Sequence, residues 1–291
     1  FKVDLPPLSQ QRKIAKILTT CDDVIEKTEA AIAKYQAIKQ GMMHDLFTRG
    51  IDLKTGKLRP SYQDAPELYK ESELGMIPID WEVELLDSHI KRIDSGWSPV
   101  CLVEPANSDE WGSLKTTAVT WAGYDPNENK KLPKDLLPKV ETEVHLDDIL
   151  ITRVGPRERV GVVVHVNDSR KRLMVSDNML RIRLITSTSL FLPFIEFILG
   201  STHVQKEWKK KIAGLAEAQV VINQQVIKNT LIPLAPIDEQ KKIFERIQVA
   251  KKRIKTEQSS LSKYQQLKAG LMQDLLTGKV EVRFAEEIVK N

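Results

Sequence analysis

The sequence predicts an α+β protein in which a mixed α/β globular domain is attached to a long antiparallel two-helix coiled coil. Three observations carry that prediction. One helical segment is written twice, once near each end of the 291 residues. Both copies keep apolar residues at the spacing of a coiled-coil seam. The stretch between them is rich in short β-branched runs.

The repeat sets the frame. "IAKYQAIKQGMMHDLFTR" (Ile32 to Arg49) aligns with "LSKYQQLKAGLMQDLLTG" (Leu261 to Gly278), and the alignment continues upstream at one constant offset without a gap. Pro7 matches Pro236, Gln11 matches Gln240, Lys13 matches Lys242, Ile14 matches Ile243 and Ile25 matches Ile254. Internal repeats come before other readings because they govern the whole fold. Two copies are too few for a solenoid, so the question is what a pair of similar helices does.

The first copy reads as a helix from about Ser9 to Phe47, with Ile14, Leu18, Cys21, Ile25, Ile32, Tyr35, Met42 and Leu46 on one stripe and Thr28 and Lys39 as polar exceptions. The second places Ile243, Ile247, Ala250, Ile254, Leu261, Tyr264, Leu271 and Leu275 on its stripe, with Glu257 and Lys268 as exceptions. These are the alternating steps of a coiled-coil seam, kept for about five heptads. A single stripe reads equally well as the buried face of an ordinary amphipathic helix. Twin stripes bracketing one globular segment most simply pair with each other. The first helix runs into that segment and the second runs out of it, so the pair is antiparallel. Prolines stand ahead of both helix starts, and Ser9 and Asp238 are the expected N-caps.

The expected organisation is residues 1–48, first coiled-coil helix; 49–80, a polar, Gly/Pro-punctuated linker arm; 81–234, the globular domain; 235–278, second coiled-coil helix; and 279–291, a tail. Within the domain "WEVELLD", "DILITR", "VGVVVHV" and "MLRIRLI" read as strands. "LFLPFIEFILG" and "HVQKEWKKKI" read as helices, the first limited by Pro193, and "INQQVIKNTLIPL" as a short helix followed by an exit strand.

Composition bounds the function. The chain is 41% hydrophobic and 29% charged, and no apolar run approaches the roughly 20 residues of a membrane span. No secretory signal is expected. The two cysteines, Cys21 and Cys101, form no disulfide framework, which points to a reducing cytoplasm. Phe1 stands inside a motif already under way, so a piece of a longer protein is expected. A net charge of +4 favours an acidic partner only weakly.

No phosphate-binding or dinucleotide-binding glycine motif, no HExxH and no zinc-spaced Cys/His cluster is present. The five histidines are scattered. Asp177 with Glu207-Trp208-Lys209 loosely mimics the acidic triad of metal-dependent nucleases, although carboxylates near a lysine are common. No cofactor and no metal are expected, and the chain reads as non-catalytic.

The basic residues are more informative. "ITRVGPRERVG" sets Thr152, Arg153, Arg157 and Arg159 on a Gly/Pro turn between two strand-like runs, where planar guanidiniums can pair bidentately with guanine. "QKEWKKKI" puts Lys206, Lys209, Lys210 and Lys211 around Trp208, a helix face suited to phosphates. "GSLKTTAVT" adds Lys115 and Thr116 in a loop. For any one of these residues an ordinary solvated surface is the commoner explanation; as a set they point to double-stranded DNA.

The order of motifs resembles the specificity (S) subunit of type I restriction–modification systems. Pro6, Pro7, Leu8, Gln10, Gln11 and Ile14 open the first conserved helix, and Pro236, Ile237, Glu239, Gln240 and Ile243 the second. Ser72, Glu73, Leu74, Gly75, Ile77, Pro78 and Trp81 match the opening of a target recognition domain, and "DDILITRVGP" matches a turn inside one. The resemblance covers essentially the whole chain and implies a non-catalytic DNA-specificity subunit. Each of its recognition domains reads half of a split site, and methyltransferase (M) and restriction (R) subunits supply the chemistry. One recognition domain and two conserved helices are present here. The isolated chain is expected to be a monomer with its helices paired internally. A helix of about 38 residues spans roughly 57 Å, between one and two turns of B-DNA at about 34 Å each, a scale that suits a spacer. Two rivals stay open: a coiled-coil scaffold whose middle domain binds protein, and a metal-dependent nuclease.

Overall fold

The computed structural model describes residues 6–186, 189–216 and 219–282. The last nine residues of the expected tail lie outside them. Among the described residues there are five α-helices: α1 (Leu8–Thr48), α2 (Ile195–Leu199), α3 (Thr202–Lys211), α4 (Gln224–Lys228) and α5 (Ile237–Leu276). The chain forms two compact units, Phe1–Gln40 with Gln248–Asn291, and Gly41–Ile247. Both long helices cross from one unit into the other.

The first unit is a helix pair. Gln10 donates to Glu281 at 3.3 Å, Lys268 pairs with Asp22, and the Arg253 guanidinium lies 5.3 Å from the Tyr35 ring centroid. As one partner's number rises the other's falls by nearly the same amount, which only antiparallel helices allow. Ile14, Ile17 and Leu18 pack with Leu271, Leu275 and Val282, and Ile32 and Ile254 are buried. Cys21, Ile25, Tyr35, Ala250, Leu261 and Leu271 are half-buried. Tyr264, placed on the seam by the heptad count, is instead 38% exposed. Two helices alone provide no third layer to close over a large side chain.

The remaining seam positions belong to the second unit. Leu46, Ile243 and Ile247 are fully buried in its main core, with Met42 packed against them. There α2 and the turn before it supply the missing layer: Phe47 meets Phe194 at 5.5 Å, and Phe244 meets Phe191 and Phe197 at 5.2 and 5.5 Å.

Both long helices begin one residue earlier than their expected caps. The carbonyls of Pro7 and Pro236 accept from Gln11 and Gln240, which leaves Ser9 and Asp238 inside the first turn. Proline suits this place because it contributes its carbonyl and needs no donor.

The stretch expected as a linker arm is folded. Strands Tyr69–Ser72 and Gly75–Pro78 form a hairpin, and Ile51, Ile77 and Trp81 join the main core. Glu239 in the first turn of α5 holds this arm. Its carboxylate is fully buried and accepts from Ile51 N at 2.6 Å, both terminal nitrogens of Arg59 at 2.5 and 2.9 Å, and Trp81 Nε1 at 3.2 Å. Gly50 (φ +65°) passes so close that a Cβ there would lie 2.1 Å from the same carboxylate. Burial pulls the Arg59 pKa down, but its bonds and charge pairing with Glu239 prevail and hold it above the usual guanidinium value.

Strand Glu82–Leu85 enters the globular part and pairs antiparallel with Leu231–Leu234, which leaves it. Between them lies a four-stranded antiparallel sheet in the order Val163–His165, Ile149–Thr152, Met179–Leu184, Ile90–Ser95. The β-branched runs read from the sequence supply three of these strands. Their alternate faces feed the main core and a second cluster around Leu150, Val162, Val164 and Met179.

Replacing Glu239 by Ala leaves Ile51 N and Trp81 Nε1 without their acceptor and Arg59 with only the part-exposed Asp80 as a close charge partner. It should cost about 3–5 kcal/mol in urea unfolding. Breaking the exposed Lys268–Asp22 pair should cost less than about 1 kcal/mol. Equal losses in the two variants would disprove this account of the joint.

Candidate nucleic-acid interface

Register decides which loops meet. Thr152 pairs with Met179, Ser95 with Leu180 and Ile151 with Val163. Residues 153–162, 175–178 and the chain after Ser95 therefore leave the four-stranded sheet at one end. The arginine turn is anchored there: the Asn178 carbonyl accepts from Arg153 N at 2.7 Å and Val154 N at 3.3 Å.

A three-stranded sheet brings the lysines to the same place. Val154–Gly155 pairs with Gln219–Val221, which pairs with Ala213–Ala216. Val154, Val221 and Ala213 lie in one row, so Ala213 is about 10 Å from Val154 at a strand spacing of about 4.8 Å. Ala213 follows directly on Ile212, the C-cap of α3, whose last turn is Lys209, Lys210 and Lys211. From its first turn, Gln205 donates to the Gly161 carbonyl at 2.9 Å. Trp208 closes the inner face, 2% exposed, with Nε1 bonded to Thr230 at 2.8 Å. The third stretch is tied in by Arg159, whose Nη2 donates to the Thr116 carbonyl at 3.2 Å. Two basic segments far from it in sequence thus converge on the arginine turn.

The residues predicted from sequence differ in what they have to offer. Arg153 is half-buried, and its guanidinium makes no ion pair or hydrogen bond among the described residues. Lys206, Lys209 and Lys211 are exposed and equally unengaged. Lys210 is exposed but paired with Glu207 at 2.6 Å, and that bond holds the Glu207 carboxyl below its usual range. Lys115 reaches Glu128 at 3.4 Å. Glu128 is lowered too, first by the Thr117 hydroxyl and then by the Lys115 charge. Arg157 and Arg159 are half-buried, and Arg159 spends one nitrogen on Thr116. Thr116 contributes its carbonyl to that bond.

Thr152 requires a correction. It is 1% exposed; its hydroxyl donates to the Arg159 carbonyl and accepts from Val162 N at 2.9 Å. It shapes the turn and is buried out of a ligand's reach. The nuclease-like residues stand apart in their bonding, Asp177 with Ser98 and Glu207 with Lys210. Among the described residues no group of three His, Cys, Asp or Glu side chains is placed to hold a metal, and no helix is long and apolar enough to cross a membrane.

Sequence reading missed the neighbours brought in by the sheet end. The Trp97 ring carries Lys139 Nζ at 5.0 Å, and Ser98 bonds Asp177, one residue from Asn178. Only strand register reveals this, because no local pattern links residues 97, 139 and 177.

Comparison with known proteins fits this geometry. Residues 117–266 match the family model described as the type I restriction modification DNA specificity domain. The chain belongs to this family. It is 37% identical over 197 residues to the type I restriction enzyme EcoEI specificity subunit of Escherichia coli, covering 67% of this chain and 33% of that protein. It is 28% identical over 289 residues to the type I restriction enzyme MjaVIII specificity subunit of Methanocaldococcus jannaschii, covering 97% of this chain and 63% of that one. The chain therefore spans between a third and three-fifths or so of these relatives' lengths. The crystal structure of the type I restriction–modification S subunit from M. genitalium shares the fold, with a TM-score of 0.57 at 14% identity over 92% of this chain and 61% of that one.

Thr152→Val keeps the shape but leaves Val162 N and the Arg159 carbonyl without their partner. It should lower stability by about 1–3 kcal/mol, whereas Lys209→Ala, on an exposed face, should shift it by less than about 0.5 kcal/mol. Thermal unfolding of the two variants checks both. A Thr152→Val protein as stable as the parent would return that residue to the surface.

Proposed function

We propose that this chain is a non-catalytic DNA-sequence-recognition element of a type I restriction–modification enzyme. Its globular domain reads one half of a bipartite duplex site. Its paired helices set the spacing to the other half and provide docking surfaces for methyltransferase and restriction subunits. The observation that carries this reading is the convergence of the Arg153 turn with the Lys209–Lys211 end of α3, in a member of the DNA specificity family. A guanidinium on a Gly/Pro turn can enter a groove and pair with guanine O6 and N7. Lysines beside it neutralise phosphates and add sequence-independent affinity. A net charge of +4 makes binding by the chain alone weak and sensitive to salt, with partner subunits completing the clamp.

Selection of bound duplexes from a random pool at low salt, with and without the methyltransferase subunit, tests the reading. Arg153→Ala should cost about 1–3 kcal/mol and relax the preference at a single position. Replacing Lys209, Lys210 and Lys211 together by Ala should weaken all sequences alike and flatten the salt dependence. If no sequence is enriched, or if Arg153→Ala changes neither affinity nor preference, DNA recognition through this turn is excluded.

The spacer role has its own test in a complete subunit carrying this chain. One heptad inserted into both helices at paired positions keeps the seam and lengthens the pair by about 10 Å. The preferred spacer should grow by roughly one to three base pairs at about 3.4 Å per pair, with the half-site sequences unchanged. A lengthened subunit that assembles and still demands the original spacer removes the helices from that role.

A further inference from the structure

The chain after Ser95 leaves the sheet beside the arginine turn, and it is pinned on both sides of an exposed apolar tip. On one side Trp97 N donates to the Val175 carbonyl at 2.9 Å, and Ser98 is bonded to Asp177. Gly96 lies so close to residue 175 that a Cβ would fall 1.8 Å from its carbonyl oxygen. On the other side Leu102 N donates to the Lys131 carbonyl, and Lys131 N to the Glu104 carbonyl, both at 2.9 Å. Between these anchors stand Pro99, Val100 and Cys101, and Val100 is 88% exposed.

Single exposed apolar residues are ordinary on protein surfaces. One held out on a loop tied at both ends is different, because its ordering entropy is spent before any partner arrives. Lysines stand near the loop, alongside the carboxylates of Asp177 and of Glu110, which is paired with Lys131. Lys139 lies over Trp97 and is exposed, as are Lys130, on the strand beside the loop, and Lys134. Asn178, which anchors the arginine turn, follows directly on Asp177, which anchors this loop.

We propose that the Trp97–Leu102 loop is a second reading element of the interface, with Val100 contacting the 5-methyl group of a thymine in the major groove and Lys139 contacting a phosphate. This rests on the DNA-recognition reading and adds to it a chemical class of base contact that the arginines do not provide. The thymine methyl is the one apolar feature that a base edge presents in the major groove. A short β-branched side chain on a pinned loop matches it in size and polarity.

The experiment uses the duplex selected by the full chain. Each thymine is replaced in turn by deoxyuridine, which removes only the methyl group. One replacement should weaken binding about three- to fivefold, the effect of exposing one buried methyl group. Val100→Ser should weaken the unmodified duplex by a similar factor and abolish the response at that thymine alone, with melting unchanged. Lys139→Ala should weaken all duplexes alike. The proposal is overturned if no thymine responds, or if the response persists in Val100→Ser. It is equally overturned if Val100→Ser leaves DNA binding intact and instead weakens assembly with the methyltransferase subunit, which would make the tip a protein contact. Arg153→Ala is measured in parallel to separate the two levels. Loss of sequence preference there, with no effect of Val100→Ser, rejects this loop and keeps the DNA reading. Failure to enrich any duplex rejects both.

Discussion

The buried carboxylate of Glu239 is the constraint on which the second unit depends. An ionised group with no exposure is tolerable only when its lone pairs are filled. Here a backbone amide, an arginine fork and an indole fill them. Those donors come from three segments: the chain leaving α1, the arm, and the entrance to the globular part. Gln240 beside it is also fully buried; it accepts from Phe191 N at 2.9 Å and donates to the Ser189 and Ala235 carbonyls at 2.7 Å. Two adjacent side chains in one helical turn thus secure most of what surrounds the start of α5. Hydrophobic packing around Phe244 and Leu46 supplies bulk, but packing is non-directional and does not choose one orientation as donors aimed at a carboxylate do.

The candidate interface follows another economy. An antiparallel sheet sends its connections alternately to its two ends, and here one end collects the arginine turn, the Asn178 turn and the Trp97 loop. Placing contacts on loops carried by a rigid sheet lets their residues vary without disturbing the core. The lysines arrive by a separate route, on α3. Their position at its C-terminus is favourable in itself, since cations there complement the helix dipole.

What the sequence disclosed and what it hid divide along physical lines. The helix pair was legible because a heptad stripe is a local pattern repeated many times, and the antiparallel sense followed from chain connectivity alone. The depth at which Leu46 and Ile243 are buried was not, because the layer that covers them comes from residues far away in the chain. The packing of the arm stays hidden for the same reason: glycines and prolines mark its turns, while Ile51 and Ile77 are single apolar residues without a period. Thr152 looked available because nothing in a sequence distinguishes a hydroxyl facing inward from one facing outward. Glu239 and Gln240 were visible only as part of a motif. Their role as a joint needs partners such as Trp81, 158 residues away.

The ladder between Glu82–Leu85 and Leu231–Leu234 has a consequence for how such a chain can change over time. The globular part begins and ends in two strands hydrogen-bonded side by side, so its path starts and finishes within a few ångströms. Everything between is a closed excursion. Lengthening, shortening or replacing it leaves the distance between its two attachment points unchanged, as for other domains whose termini lie close together. Recombination within those two short strands would exchange one globular part, with its candidate interface, for another. The helices and their fastening would be inherited intact.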